Sequence, residues 1–171
     1  MYSHIKIGKI VATFGLSGEV IVQHNLGKKA AFKGVEAIFV EQTKNALLPF
    51  FIKSVKAKTI DESYVLFEDI NSKEAAKRLV SRPVWLTNTD FDKLVDIKSS
   101  IALLGYEVYN EDDLIGLVKE VIEQPHQILL TVMYKEKEVY LPMHEDNLIN
   151  VDNKNRKIEL RLPNGLLEIY M

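Results

Sequence analysis

Short runs rich in β-branched and aromatic residues recur along the chain at intervals of roughly ten residues, each closed off by Gly, Asn, Asp or Pro. That spacing leaves little room for helices. In the first half the runs are 5–11, 19–23, 35–40, 50–55 and 64–67; in the second they are 106–109, 116–122, 127–133, 138–141 and 157–162. Turn material separates them, including Asn25-Leu26-Gly27, Asp61-Glu62-Ser63, the acidic Asn110-Glu111-Asp112-Asp113, the charged Tyr134-Lys135-Glu136-Lys137 and Asp152-Asn153-Lys154-Asn155. The first pair of strands is hinged on Gly15 and Gly18, which bracket Leu16-Ser17. Glycine there supplies a positive φ or lets a second backbone approach closely. The turn reads either as a plain hairpin or as an exposed loop shaped for a partner. One helix stands out: Asn71 as its cap, Glu74 three residues on as in a capping box, then Ala75 to Val80, with Pro83 to end it. Residues 83–86 follow as a strand able to close the sheet. Many short strands with one short helix argue against βαβ units and for an all-β chain of two small β-barrels in tandem. The polar, non-periodic stretch 87–92 reads as the start of a connection, giving domains 1–88 and 98–171 joined by a linker over 89–97.

Composition narrows the function. Apolar residues make up 47% of the chain, ample material for cores. No run approaches the roughly 18 apolar residues that span a bilayer, and the first residues, Met1-Tyr2-Ser3-His4-Ile5-Lys6, show no secretory signal pattern. The absence of cysteine excludes disulfides, a thiolate nucleophile and cysteine metal sites. A cytoplasmic protein without a membrane partner is expected. The net charge of −2 hides an asymmetry, because residues 1–90 carry a net +4 and residues 91–171 a net −6. Such a split suggests partners of opposite character.

Nothing assembles into a catalytic centre. None of His4, His24, His126 and His144 has a second His at helical spacing, so no metal or cofactor is expected. His144-Glu145-Asp146-Asn147 reads as a polar turn before Leu148-Ile149. Glu111-Asp112-Asp113 sits in a solvated turn, where no burial shifts a carboxylate toward acid–base work. No serine lies in a G-x-S-x-G elbow, and the first glycines match no phosphate-binding loop. A non-enzyme without a small-molecule substrate follows. Lys28, Lys29 and Lys33 around Phe32 fit an RNA-phosphate contact with one stacking ring, or a solvated loop whose Phe32 is anchored in the core. Lys53, Lys56 and Lys58 add charge nearby. The apolar tail over 162–170 has to dock, on its own barrel or on a partner.

Taken in order, several segments resemble the bacterial ribosome maturation factor RimM family. They are Gly8-x-Ile10 followed by Phe14-Gly15-Leu16-x-Gly18-Glu19-Val20, the acidic Glu68-Asp69 leading to Glu74-Ala75-Ala76, Leu103-Leu104-Gly105, Leu114-Ile115-Gly116-x-Val118-x-x-Val121, Leu141-Pro142, Val151-Asp152 and Leu162-Pro163-x-Gly165-Leu166-Leu167-Glu168. Each is weak alone, and the ordered set spans almost the full length. The resemblance implies a six-stranded barrel akin to domain two of translation elongation factors, then a PRC-type β-barrel, and no catalytic activity. It further implies a role in late assembly of the 30S subunit head and maturation of 16S rRNA. The implied partners are immature 30S subunits, 16S rRNA and the small-subunit head protein numbered nineteen. On this reading Lys28, Lys29 and Lys33 meet rRNA, and the acidic half meets the basic ribosomal protein. The chain departs from the family twice. Phe14 stands where the family often carries His, and Lys98-Ser99-Ser100-Ile101 stands where many members carry a Tyr-Tyr pair that supports ribosome binding. Tyr106 and Tyr109 are then the expected aromatic contacts to the ribosomal protein. The rival readings are a PRC-barrel adaptor and an oxidoreductase subunit, either of which would ignore ribosomal particles.

Overall fold

Alternate residues of the first strands point at one core. In β1 (His4–Phe14) these include Ile5, Ile7 and Ile10, and in β2 (Glu19–His24) Val20 and Val22. Ile38 and Val40 follow in β3 (Ala37–Thr43), Val65 and Phe67 in β5 (Glu62–Phe67), and Val84 and Leu86 in β6 (Pro83–Thr87). Burial at period two is what a sheet with one wet face requires. The computed structural model describes residues 4–96 and 98–171; it joins these strands with β4 (Ala46–Ala57) into a closed barrel of order β1-β2-β5-β4-β3-β6. The barrel belongs to a compact unit that ends at Ala102, and Leu103–Met171 form a second.

Closure requires β1 to pair with β6 through its first half and with β2 through its second. Register shifts between Lys6 and Gly8 and between Ile10 and Ala12 mark bulges, which bend and twist the strand around the barrel. β4 extends beyond the expected 50–55 at both ends, and none of its residues is fully buried. Pro49 lies in the half of β4 that pairs with β3 alone, where a missing N–H is tolerated.

The glycine-hinged turn uses both properties of glycine. Gly15 has φ +69° with nothing within 4 Å of a would-be Cβ, whereas at Gly18 (φ +100°) the Ile70 carbonyl oxygen stands 2.6 Å from that position. The turn therefore packs against the segment leading to α1 (Lys73–Lys77). That helix is capped one residue later than expected, with Ser72 Oγ accepting from Ala75 N–H at 3.2 Å. It ends at Arg78 rather than at Pro83, which instead begins β6.

The expected linker over 89–97 is corrected by a second helix, α2 (Asn88–Leu94). Thr87 Oγ1 accepts from Asp90 N–H at 3.1 Å, and Phe91 and Leu94 are buried. Two apolar residues at i,i+3 are too few to show as a period in so polar a stretch. The chain then remains on the first unit, Asp96 N–H donating to Leu26 O at 2.9 Å. Met1, Tyr2 and Ser3 of the expected first domain, and Ile97 of the expected linker, lie outside the described residues.

The loop from β2 to β3, residues 25–36, turns Leu26, Ala30, Phe32 and Val35 inward. Phe32, at φ +50°, meets the His24 ring edge to face with centroids 6.0 Å apart. His24 is 2% exposed. Its Nδ1 accepts from Leu26 N–H at 3.4 Å, and its Nε2 lies 3.4 Å from Ser63 Oγ, which donates to Ala30 O at 2.6 Å. Burial pushes the His24 imidazole below its ordinary value of 6.5, against an opposing pull from Asp61.

In the second unit β7 (Glu107–Asn110), β8 (Asp113–Gln124), β9 (Gln127–Tyr134), β10 (Lys137–Met143), β11 (Leu148–Asp152) and β12 (Lys157–Leu160) form one sheet of order β10-β9-β8-β7-β12-β11. β8 is its spine, pairing with β7 along its first part and with β9 along the rest, with a register shift between Val118 and Glu120. β12 lies parallel to β7 and antiparallel to β11. β11 is absent from the expected strands because none of its residues is fully buried and no alternation marks it. Val108, Val118, Leu130, Val132, Val139, Leu141, Ile158 and Leu160 make the core. The tail ends in a 3-10 turn, Leu167–Tyr170, near β10; none of the four residues is buried, and Ile169 is 76% exposed.

Two measurements check this account. Gly15→Ala should lose about 1 kcal/mol, the left-handed backbone penalty alone, and Gly18→Ala at least about 2 kcal/mol, since a backbone contact must also give way. Equal losses in urea melts would contradict the close approach to Ile70. The folded state binds a proton at His24 less readily than the unfolded chain does. Its contribution is therefore complete above about pH 6.5 and declines as pH falls through the lowered folded value. The thermal midpoint of the natural chain should drop between pH 7 and 5, and His24→Gln should flatten that slope. An unchanged slope would contradict a buried neutral imidazole.

Candidate nucleic-acid and protein interfaces

Two loops bring lysines to one end of the first barrel. Lys28, Lys29 and Lys33 are exposed on the 25–36 loop because its apolar residues take the inward positions. Phe32 is only 3% exposed and offers no ring to a nucleotide, so of the two sequence readings the ring is the one anchored in the core. Ser63, bonded to Ala30, pairs with Ala57 across β5 and β4, so the neighbouring Lys56 and Lys58 emerge beside the same end. Lys58 pairs with Glu62, and that hydrogen bond raises its pKa.

An exposed aromatic group that sequence reasoning missed stands on the outer face. Ile21, Tyr64 and Lys56 are cross-strand neighbours on the outward phase of β2, β5 and β4. Phe14, 48% exposed, sets its ring 4.6 Å from that of Tyr64, and Lys58 Nζ lies 5.9 Å from the Tyr64 centroid. Leu16 projects at the tip of the adjacent turn. Rings flanked by ammonium groups offer base stacking and phosphate contact together. The outward phase of Tyr64 was visible in the strand pattern, but its meeting with Phe14 needs the register of three strands.

The two tyrosines of the second unit differ. Tyr106 is 5% exposed; its hydroxyl donates to Asn153 Oδ1 at 3.1 Å and its ring lies under the Arg156 guanidinium at 5.4 Å. Arg156 Nη2 in turn donates to Leu104 O at 3.1 Å. This is an internal clamp, and it corrects the expectation of Tyr106 as a contact for a partner. Tyr109 is on the outward phase of β7, opposite the exposed Leu114. Its hydroxyl donates to Glu107 Oε2 at 3.0 Å, and Lys157 Nζ stands 5.2 Å from its ring.

Among the described residues no group of three His, Cys, Asp or Glu side chains is placed to hold a metal, and no helix is long and apolar enough to cross a membrane. His144 faces Asp146, with Nδ1 3.4 Å from Oδ2, in a turn of the second unit.

Comparison with known proteins accounts for both units. The family model for the RimM N-terminal domain matches residues 5–91, and that for the RimM PRC barrel domain matches residues 100–166. Ribosome maturation factor RimM of Flavobacterium johnsoniae is 31% identical over 169 residues, covering 96% of this chain and 95% of that protein. The protein of the same name from Christiangramia forsetii is 29% identical over 167 residues, again covering 96% of this chain and 95% of its own. The solution structure of the N-terminal domain of RimM from Thermus thermophilus covers 52% of this chain and 94% of its own at 18% identity and a TM-score of 0.42, too distant to bear on the fold. With both units matched in order and nearly the whole length aligned, the chain belongs to the RimM family of non-catalytic ribosome maturation factors.

Proposed function

We propose that the protein acts by binding in the late maturation of the 30S subunit head and the processing of 16S rRNA, in the bacterial cytoplasm. The observation that carries this reading is the ordered match of both family domains on a chain whose two units have opposite charge. Residues 1–102 carry a net +4 and residues 103–171 a net −6. The end of the barrel bearing Lys28, Lys29 and Lys33 meets rRNA phosphates. The acidic unit meets the basic small-subunit head protein numbered nineteen, with Tyr109 as an aromatic anchor. The two units serve as separate modules, and the burial of Phe91 and Leu94 in α2 supports a first module that runs on past residue 88.

Binding alone is enough for such a task. A factor that prefers the immature particle over the mature one by about tenfold needs only about 1.4 kcal/mol of differential contact. It leaves once mature contacts displace its own.

Replacing Lys28, Lys29 and Lys33 by Glu should weaken binding to immature small subunits about tenfold or more and flatten its dependence on salt. Unchanged affinity and salt slope would make the cluster a solvated loop. Tyr109→Ala should weaken binding to the isolated head protein while leaving the melting curve in place. Tyr106→Ala should instead lower stability by about 3 kcal/mol, as loss of a buried ring does. Normal binding by a folded Tyr109→Ala variant would place the anchor elsewhere.

A further inference from the structure

Four strands of the first barrel share an outward patch centred on two rings. Val20 and Val65 are fully buried, so their neighbours Ile21 and Tyr64 point out, and Lys56 follows across β4. Ala12 stands opposite Ile21 on β1, and two residues further along Phe14 carries its ring over to Tyr64. The rings lie 4.6 Å apart, tilted by 43°, and half of Phe14 stays exposed. Access to them is open, since a Cβ built at the adjoining Gly15 would meet nothing within 4 Å. Leu16, exposed at the tip of the same turn, extends the apolar surface.

Charge is distributed unevenly around the rings. Glu19 stands opposite Phe14 on β2, whereas Lys56 stands opposite Tyr64 on β4. Lys58 lies with Nζ 5.9 Å from the Tyr64 centroid and is held by Glu62, which occupies that carboxylate. Lys56 is exposed, and among the described residues it has no carboxylate partner. The face therefore runs from rings beside a carboxylate to an ammonium group on the strand next to Tyr64, where cross-strand Cβ atoms are about 5 Å apart.

Exposed rings stack on the flat face of any base, and an ammonium group attracts phosphate. A carboxylate accepts hydrogen bonds from base N–H groups and repels phosphate. Paired bases hide their faces inside a helix, so only unpaired nucleotides can use such a platform. We propose that the Phe14–Tyr64 face binds unpaired nucleotides of RNA. One base stacks on the two rings with its N–H edge toward Glu19, and its phosphate meets Lys56. The site is separate from Lys28, Lys29 and Lys33, whose loop follows the opposite end of β2 from Glu19. The proposal rests on the reading of the chain as a factor that engages 16S rRNA, and it adds the kind of RNA engaged, unpaired rather than helical.

The test titrates the full-length protein with a labelled single-stranded oligoribonucleotide, following anisotropy and amide chemical shifts. Shifts in the natural chain should concentrate over 12–16, 19–21, 54–58 and 62–66. Phe14→Leu, which keeps an apolar side chain and removes the ring, should weaken the single strand about tenfold and leave a duplex of the same sequence unchanged. Lys56→Gln should reduce the dependence of log affinity on log salt by about 0.7, the share of one phosphate contact on a single strand. Phe51→Leu, at an exposed ring opposite Ala37, should change binding less than about twofold. Equal losses for Phe14→Leu and Phe51→Leu, equal losses on single strand and duplex, or shifts centred off the face would overturn the proposal. So would an acidic leucine-containing peptide that shifts the face when the oligoribonucleotide does not. The same variants assayed on immature small subunits separate the two readings. Subunit and oligoribonucleotide binding that both survive Phe14→Leu dismiss the face and leave the ribosomal reading standing. A natural chain that takes the single strand on this face yet ignores subunits retains the face and dismisses the ribosomal reading.

Discussion

The pairing of β1 with both β6 and β2 is the constraint on which the first unit depends. Six strands left open would expose two edges and leave the side chains nearest them half solvated. Closure through the paired His4 and Thr87, Ile5 and Leu86, and Lys6 and Trp85 encloses the inward row instead. Each aliphatic side chain so buried contributes about 1.5–3 kcal/mol relative to leaving it exposed. The bulges in β1 bend the strand and increase its local twist, which lets it follow the curve of the barrel while pairing on both edges. The features of the candidate surfaces follow from closure. The 25–36 loop packs its apolar residues inward and leaves its lysines in water, and Thr87, at the end of β6, is placed to cap α2.

Where a strand alternates buried and exposed residues, its sequence announces it, and β1, β2, β5 and β6 are legible for that reason. β4 and β11 are less so, because neither buries a residue completely and a strand without an inward row has no period to read. α2 hides in the same way behind two apolar residues. At the binding surfaces the difficulty is one of depth. A phenylalanine among lysines has the same composition whether it stacks on a base or anchors a loop, and only the packing of Phe32 on His24 separates the two. Tyr106 and Tyr109 differ likewise in that the first ring is buried and the second lies on the outward phase of β7. The Phe14–Tyr64 pair lies fifty residues apart in the chain and becomes a unit only through the registers of β1, β2 and β5.

The two units differ in surface chemistry. The first carries exposed lysines and a net +4, and the second a net −6, a split that suits partners of opposite character. Contacts of this kind act chiefly on encounter rate and choice of partner, and they weaken with salt because exposed charges are screened within about 8 Å at physiological ionic strength. Binding of this strength suits a factor that must leave when assembly is finished.

The most direct test of that claim is the sedimentation of the protein in a sucrose gradient of cell lysate at low salt. The account predicts that it travels with small-subunit particles, enriched on those containing unprocessed 16S rRNA, and returns to the top of the gradient when the salt is raised. A protein that stays at the top at low salt, or distributes equally over mature and immature subunits, would contradict it.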